Sequence, residues 1–108
     1  MIQALTPHQA HDLIAAGDVD LIDVREPHEW SGGHIADARH VPLEKLRASP
    51  RAAVPRDGVI FVCAAGIRSQ TAARVAEGLG FTRIYNLSGG TRAWTRAGLP
   101  LVREASAA

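Results

Sequence analysis

The four consecutive apolar residues from Val59 to Val62 restrict the possible folds of this chain more than any other stretch of its sequence. Most of them are β-branched, and such a run is typical of a strand buried on both faces of a parallel sheet. A loop of mostly small residues, Cys63 to Arg68, follows directly. From Ser69 onward, apolar residues recur at helical spacing. A strand, a short loop and a helix in this order predict one unit of an α/β fold.

Strand and helix patterns alternate along the rest of the chain. The predicted strands cover 2–5, 19–24, 38–41, 59–62 and 82–87. The predicted helices lie between Thr6 and Gly17, over 27–30, over 43–48, from Ser69 to about Gly80, and from Gly90 to Gly98, and a proline-rich connection spans Pro50 to Pro55. Because alternating strands and helices build parallel sheets covered on both faces, we predict a three-layer α/β/α fold with a mainly parallel central sheet of about five strands.

The chain length suits one domain with a single modest core. We assign residues 1–103 to that domain and expect residues 104–108 to form a disordered tail. The start of the first helix carries the clearest local signal. Thr6 and Gln9 have the spacing of a capping box, and Pro7 suits the first helical position.

Composition excludes several classes of function. The formal net charge is +1, with acidic and basic residues mixed along the chain, so neither nucleic acid nor a membrane is an expected partner. No apolar run approaches the roughly 20 residues of a membrane span, and no signal peptide pattern opens the chain. A single cysteine excludes an internal disulfide, and the five histidines lack metal-ligand spacing. We therefore expect a cytoplasmic protein without a metal or cofactor.

The single cysteine, Cys63, stands where the chemistry of an open α/β sheet is usually found, at the carboxyl end of a strand. The loop that follows can direct several backbone N–H groups at one point, and the next helix adds its own free N–H groups. A thiolate there would be stabilised, so we predict a lowered pKa and a nucleophilic sulfur. The alternative is a small buried apolar residue, but packing alone requires neither Gly66 nor Arg68.

Four segments in order resemble one known family. They are Asp23-Val24-Arg25 with Glu29-Trp30, then Gly33-His34-Ile35 with Val41-Pro42, then Cys63 to Arg68, and finally Gly89-Gly90 with Trp94. Together they resemble the single-domain rhodanese sulfurtransferases over nearly the whole chain. One position departs from the pattern, because Asp37 stands where the family often has glycine. Aspartate also forms turns, so we expect the loop to close as it does in the family.

The resemblance implies a thiosulfate sulfurtransferase. In such a reaction Cys63 takes sulfane sulfur from a donor such as thiosulfate, holds it as a persulfide, and passes it to a thiophilic acceptor, which is cyanide in the usual assay. The backbone from Ala64 through Ala65, Gly66 and Ile67 to Ser69 would surround the persulfide, and Arg68 would hold the sulfonate of the donor. Thiosulfate, a small-molecule persulfide such as glutathione persulfide, and a cysteine-desulfurase partner all suit the same loop as sulfur donors, and a protein acceptor is possible. The physiological donor, the acceptor, the pathway and the oligomeric state stay open.

Three alternatives compete with this enzyme. The first is a sulfur carrier or persulfide sensor that acts with a partner protein, since it needs the same loop. The second is a phosphatase or arsenate reductase. The spacing Cys-x4-Arg opposes it, because the related phosphatases have a loop one residue longer. The third is an inactive binding domain, which the intact Cys63 and Arg68 oppose.

Residues outside the loop receive mainly structural interpretations. Asp23 and Arg25 are either electrostatic partners of the site or an ion pair that joins two loops, and we favour the ion pair. Glu29 with Trp30 is interpreted as a packing turn, and His34 as a side chain bonded to backbone. Two further interpretations complete the set: Gly89-Gly90 as a tight turn that could border the site, and Trp94 as a core residue.

Overall fold

The computed structural model describes residues 1–103 and contains eleven helices and strands within them. In chain order they are β1 (Ile2–Leu5), α1 (Pro7–Ala15), β2 (Asp20–Asp23), α2 (Pro27–Ser31), β3 (Arg39–His40), α3 (Leu43–Ala48), α4 (Pro50–Ala53), β4 (Val59–Val62), α5 (Ile67–Gly78), β5 (Ile84–Leu87) and α6 (Gly90–Arg96). The tail predicted over residues 104–108 lies outside the described residues.

The five strands form one sheet in the order β1-β5-β4-β2-β3, and every neighbouring pair is parallel. The buried strand of the sequence analysis, β4, is therefore the central strand, and all four of its residues are buried. This confirms the predicted α/β fold. No helix among residues 1–103 combines the length and apolar character that crossing a membrane requires.

Side chains of β4 alternate between the two faces of the sheet, and each face has its own core. Phe61 packs with residues of α3, α4 and α5, including Leu46, Ala53 and Ala72. Ile60 and Val62 pack with residues of α1 and α6, including Ala10 and Trp94. The two cores give the three layers, and α5 and α6 lie on opposite faces of the strand that precedes Cys63.

The first helix begins as predicted. The Thr6 hydroxyl accepts a hydrogen bond from the Gln9 backbone N–H at 3.2 Å, and the Gln9 side chain accepts one from the Thr6 N–H at 2.9 Å. This reciprocal pair satisfies two N–H groups that a helix start otherwise leaves free.

One additional helix and several element boundaries differ from the predictions. The segment from Pro50 to Ala53, predicted as a proline-rich connection, is the short helix α4. Proline suits the first helical position because its fixed φ is helical and because it has no N–H group to leave unsatisfied there. Helix α5 begins at Ile67 rather than Ser69, so Ile67 and Arg68 belong to its first turn. The β2, β3 and β5 strands are shorter than predicted at their ends.

Asp37, the departure from the family pattern, adopts a left-handed backbone with φ of 69°. Aspartate tolerates this conformation better than most residues that carry a Cβ. A glycine at this position would adopt it without strain. The turn therefore closes with aspartate, as expected from the sequence.

Candidate active site

Cys63 immediately follows the central strand, at the carboxyl edge of the sheet. Only 1 % of its surface is exposed, and its side chain lies on the same face of the sheet as Phe61, in the core beneath α5. The site is thus built at the point where β4 ends and where both α5 and α6 begin.

The loop after Cys63 turns back on the sulfur within a few residues. Gly66 has a left-handed φ of 98°, and its backbone N–H donates to the Cys63 Sγ at 3.1 Å. A Cβ at this glycine would also stand 3.2 Å from the backbone nitrogen of Gly89, closer than most contacts of real Cβ atoms. Glycine is required here both for the turn and for the close approach of a second loop.

The sulfur has opposing influences on its acidity. Burial raises the pKa of the Cys63 thiol. Hydrogen bonds to the sulfur anion lower this pKa. They come from the Ser69 hydroxyl and from the backbone N–H groups of Ser69, Ala65 and Gly66. The hydrogen bonds prevail, so the pKa of Cys63 lies below that of an ordinary thiol. This is the direction predicted from the sequence.

The turn between β5 and α6 holds the loop from its other side. The Thr91 N–H donates to the Cys63 carbonyl at 2.8 Å, and the Arg92 N–H donates to the Ala64 carbonyl at 3.1 Å. A Cβ on Gly90, which has a φ of 62°, would overlap the backbone of Cys63 and Ala64. The paired glycines therefore border the site because a side chain at position 90 would displace the loop that carries the sulfur.

Arg68 does not point into an empty pocket. Its Nη1 and Nη2 donate to the two carboxylate oxygens of Glu29 at 2.7 and 2.9 Å. The pair is partly exposed, with 36 % of the Arg68 side chain and 23 % of the Glu29 side chain accessible. Hydrogen bonding to Arg68 lowers the pKa of Glu29 to about 2, and Glu29 in turn raises the pKa of Arg68. The charge of Arg68 is balanced before any ligand arrives.

Glu29 was assigned a packing role from the sequence, so its contact with Arg68 is a correction. The residues lie 39 positions apart, and only the fold brings α2 against the start of α5. A glutamate in a short polar helix carries no local signal that it reaches the cysteine loop.

Asp23 and Arg25 form the ion pair favoured in the sequence analysis. The guanidinium of Arg25 contacts both carboxylate oxygens of Asp23, at distances from 2.8 to 3.0 Å, and both side chains are almost fully buried. Arg25 also donates to the carbonyls of Gly33 at 2.8 Å and Glu29 at 3.3 Å. The pair ties α2 to the end of β2 and so positions the glutamate that meets Arg68.

His34 and Trp94 have the structural environments predicted for them. The His34 ring nitrogen Nδ1 lies 3.2 Å from the Trp30 carbonyl, and the two rings stack with centroids 3.5 Å apart. His40 stacks on Trp30 with centroids 4.7 Å apart. Trp94 is buried in the α1 and α6 core and donates to the Pro100 carbonyl at 2.9 Å.

The predicted loop residues take different positions. Ala65, Gly66 and Ser69 turn N–H groups toward the sulfur, whereas Ala64 offers its carbonyl to α6. Ile67 faces outward and is 78 % exposed. One polar residue of the site was not predicted from the sequence. Asn86, in the carboxyl half of β5, accepts a hydrogen bond from the Ser69 hydroxyl. Its signal was a polar residue in an otherwise apolar strand that neighbours β4.

Comparisons with known proteins give the family. Residues 6–97 match the Rhodanese-like domain. The chain belongs to the rhodanese-like family. It is 33 % identical over 97 residues to the thiosulfate sulfurtransferase GlpE of Actinobacillus pleuropneumoniae serotype 7, covering 90 % of each chain. It is also 43 % identical over 74 residues to the Bacillus subtilis protein YqhL. That match covers 68 % of this chain and 59 % of the length of YqhL.

A solved structure supports the same assignment. The rhodanese-related protein of Thermoplasma volcanium superposes with a TM-score of 0.84 at 28 % identity, over 94 % of this chain and 99 % of the other. The resemblance inferred from the sequence motifs is therefore confirmed, and so is the rhodanese-like fold.

Proposed function

We propose that this rhodanese-like protein is a thiosulfate sulfurtransferase that works through a persulfide on Cys63. The observation that carries the proposal is the group of backbone hydrogen-bond donors that converges on one buried sulfur, namely the N–H groups of Ala65, Gly66 and Ser69. Fixed donors of this kind stabilise an anion without reorganising during the reaction. A terminal persulfide sulfur is such an anion.

The proposed reaction has two displacement steps. The Cys63 thiolate attacks the outer sulfur of thiosulfate, a new S–S bond forms, and the original S–S bond breaks with its electron pair leaving on sulfite. The acceptor, cyanide in an assay, then attacks the terminal sulfur. The S–S bond at Cys63 breaks, thiocyanate leaves, and the thiolate is restored. No cofactor or external oxidant is needed, because the sulfur is carried over at the same oxidation level.

Arg68 has donors left for the sulfonate of the donor substrate. A guanidinium carries five N–H donors, and the contact with Glu29 engages one on Nη1 and one on Nη2. The remaining N–H groups can bind a sulfonate oxygen, or the sulfonate can displace Glu29. In the second case Glu29 competes directly with the donor substrate, and in the first it weakens the attraction by balancing the charge of Arg68.

A protein acceptor or donor is the second candidate, and one observation favours it. Ile67, in the first turn of α5, is 78 % exposed at the rim of the Cys63 loop, next to the exposed Ala65. An apolar side chain in that place can contact a partner that delivers or removes the sulfur. In that role the protein would be a sulfur carrier with slow turnover of small molecules. A phosphatase has less support, because the Cys-x4-Arg loop is one residue shorter than in the related phosphatases.

Thiocyanate formation from thiosulfate and cyanide tests the enzyme. The parent protein should turn over many times. Cys63→Ser should lose turnover entirely, and Ser49→Ala, outside the site, should match the parent. Thiocyanate formed by Cys63→Ser at the parent rate would contradict the mechanism. Slow but continuing thiocyanate formation that still requires Cys63 would instead indicate a carrier.

A further inference from the structure

The Ser69 hydroxyl lies between two groups that can both accept its single proton, the Asn86 amide oxygen and the Cys63 sulfur when it is a thiolate. Its oxygen is 3.3 Å from the Cys63 Sγ and 2.6 Å from the Asn86 Oδ1. A hydroxyl has one O–H donor, so it can donate to the sulfur or to the amide but not to both at full strength.

The orientation of the Asn86 amide is fixed by its other contacts. Its Nδ2 donates to the Gly66 carbonyl at 3.1 Å and to the Gln70 Oε1 at 3.0 Å, and both of these atoms can only accept. The Asn86 Oδ1 therefore faces Ser69, and a carbonyl oxygen can only accept. In this arrangement the Ser69 proton lies on the bond to Asn86, which at 2.6 Å is the shorter of the two contacts.

The fold holds Asn86 in place for this role. The residue is 8 % exposed and lies in β5, paired in register with Phe61 of β4, so it shares the face of the sheet that α5 covers. With a neutral thiol, Cys63 can donate to Ser69, which donates to Asn86. Once the thiol loses its proton, a lone pair of Ser69 would face an anion unless the hydroxyl rotates toward the sulfur and leaves Asn86.

We propose that Asn86 is a positioning residue of the Cys63 site, which competes with the sulfur for the Ser69 proton and anchors the Gly66 carbonyl. Through Ser69, Asn86 favours the neutral thiol, and its removal frees the hydroxyl for the anion. Through Gly66, Asn86 supports the loop that favours the anion. A role of Asn86 in catalysis rests on the proposed function. The competition between Asn86 and the sulfur for the Ser69 proton does not, because it concerns only the ionisation of the Cys63 thiol.

A double-mutant cycle separates the two contributions. The thiolate-to-thiol ratio of Cys63 is measured by pH titration of absorbance near 240 nm, with Cys63→Ser as the blank for each background. The chain has no other cysteine, so the difference reports this sulfur alone. Asn86→Ala is made in the parent and in Ser69→Ala. The loss of the Gly66 anchor is common to both backgrounds and cancels, leaving only the coupling through the hydroxyl.

We expect Asn86→Ala to favour the thiolate about fivefold more with Ser69 present than in Ser69→Ala, the equivalent of one ordinary hydrogen bond. A second substitution, Asn86→Asp, keeps an acceptor for Ser69 and makes it stronger, so its coupling should have the opposite sign. The repulsion between the carboxylate and the sulfur also cancels between backgrounds. Thermal unfolding of each variant checks that it is folded.

Equal effects in the two backgrounds would overturn the proposal, as would the same sign of coupling for alanine and aspartate. Either result would leave Asn86 as an anchor of the loop only. Failure of the proposed function is seen separately, as absence of a persulfide after thiosulfate, and it would not alter the titration.

Discussion

Two arginine–carboxylate pairs lie near the same end of the sheet, and they serve different purposes. Arg25 contacts Asp23 with both side chains almost fully buried, and it also holds two backbone carbonyls. Arg68 contacts Glu29 with equally short distances but stays 36 % exposed beside the Cys63 loop. Geometry alone does not distinguish the pairs, whereas burial does. The buried pair is a fixed part of the fold, and the partly exposed pair can exchange its partner for an anionic substrate.

The largest expected effect is on the buried pair. Arg25→Met leaves the Asp23 carboxylate buried without its partner, and such a loss typically costs about 3–5 kcal/mol of unfolding free energy. The matched change Arg47→Met breaks the exposed pair with Glu44 and should cost less than about 1 kcal/mol. Urea unfolding of both variants measures the difference. Adding Asp23→Asn to Arg25→Met should recover part of the lost unfolding free energy, because it removes the unpaired buried charge. Equal stability of Arg25→Met and Arg47→Met would contradict the claim that the buried pair contributes more than the exposed pair.

The next effect concerns substrate use at the exposed pair. Arg68→Ala should lower kcat/KM for thiosulfate by about 10–100-fold, the range expected for losing a hydrogen bond to a charged group. Unfolding free energy should change much less than in Arg25→Met, because both partners already contact water. Steady-state kinetics with cyanide as acceptor gives the first quantity. Unchanged kinetics would show that the backbone donors are sufficient and that Arg68 is structural.

A smaller effect in the opposite direction is expected when the competitor is removed. Glu29→Gln keeps the shape of the side chain but frees the guanidinium, so KM for thiosulfate should fall about fivefold, corresponding to roughly 1 kcal/mol for a partly exposed pair. Glu44→Gln is the control and should leave KM unchanged, because it breaks an exposed ion pair, Arg47 with Glu44, that is not part of the Cys63 loop. A rise in KM for Glu29→Gln would mean that Glu29 orients Arg68 for the substrate instead of competing with it.

The smallest effect is the pH dependence of stability. The pKa of Glu29 is lowered to about 2 in the folded protein by its hydrogen bonds with Arg68, so the folded state favours the carboxylate. Its contribution is complete above the unfolded value and is lost as the pH falls through the folded one, from about 4.5 towards about 2. Solvent screening limits it to less than about 1 kcal/mol. Subtracting the urea stability of Glu29→Gln from that of the parent between these pH values should reveal this loss, and a difference that is flat with pH would exclude it.

Local sequence signals predicted the parts of the molecule that depend on short-range chemistry. The Thr6 capping box, the turn at Asp37 and the paired glycines at the start of α6 each require a specific backbone conformation or donor, and a few neighbouring residues reveal this. The central strand was predictable because a run of four apolar, mostly β-branched residues is typical of a strand buried on both faces of a sheet. The family resemblance added the order of the motifs.

Contacts between distant segments were not predictable from the residues. Glu29 meets Arg68 across 39 positions, and Asn86 meets Ser69 across 17, so neither pair has a local pattern. The short helix α4 was missed for another reason. Its four residues follow α3 after the single residue Ser49 and are too few to show helical periodicity, and Pro50 fits a loop as well as the first position of a helix.

The measurement that tests the central claim most directly is the intact mass of the protein before and after thiosulfate, with and without subsequent cyanide. We predict a species heavier by one sulfur atom after thiosulfate, its disappearance on addition of cyanide, and no such species in Cys63→Ser. An unchanged mass after thiosulfate would contradict thiosulfate as the sulfur donor. An adduct that persists in Cys63→Ser would contradict Cys63 as its carrier.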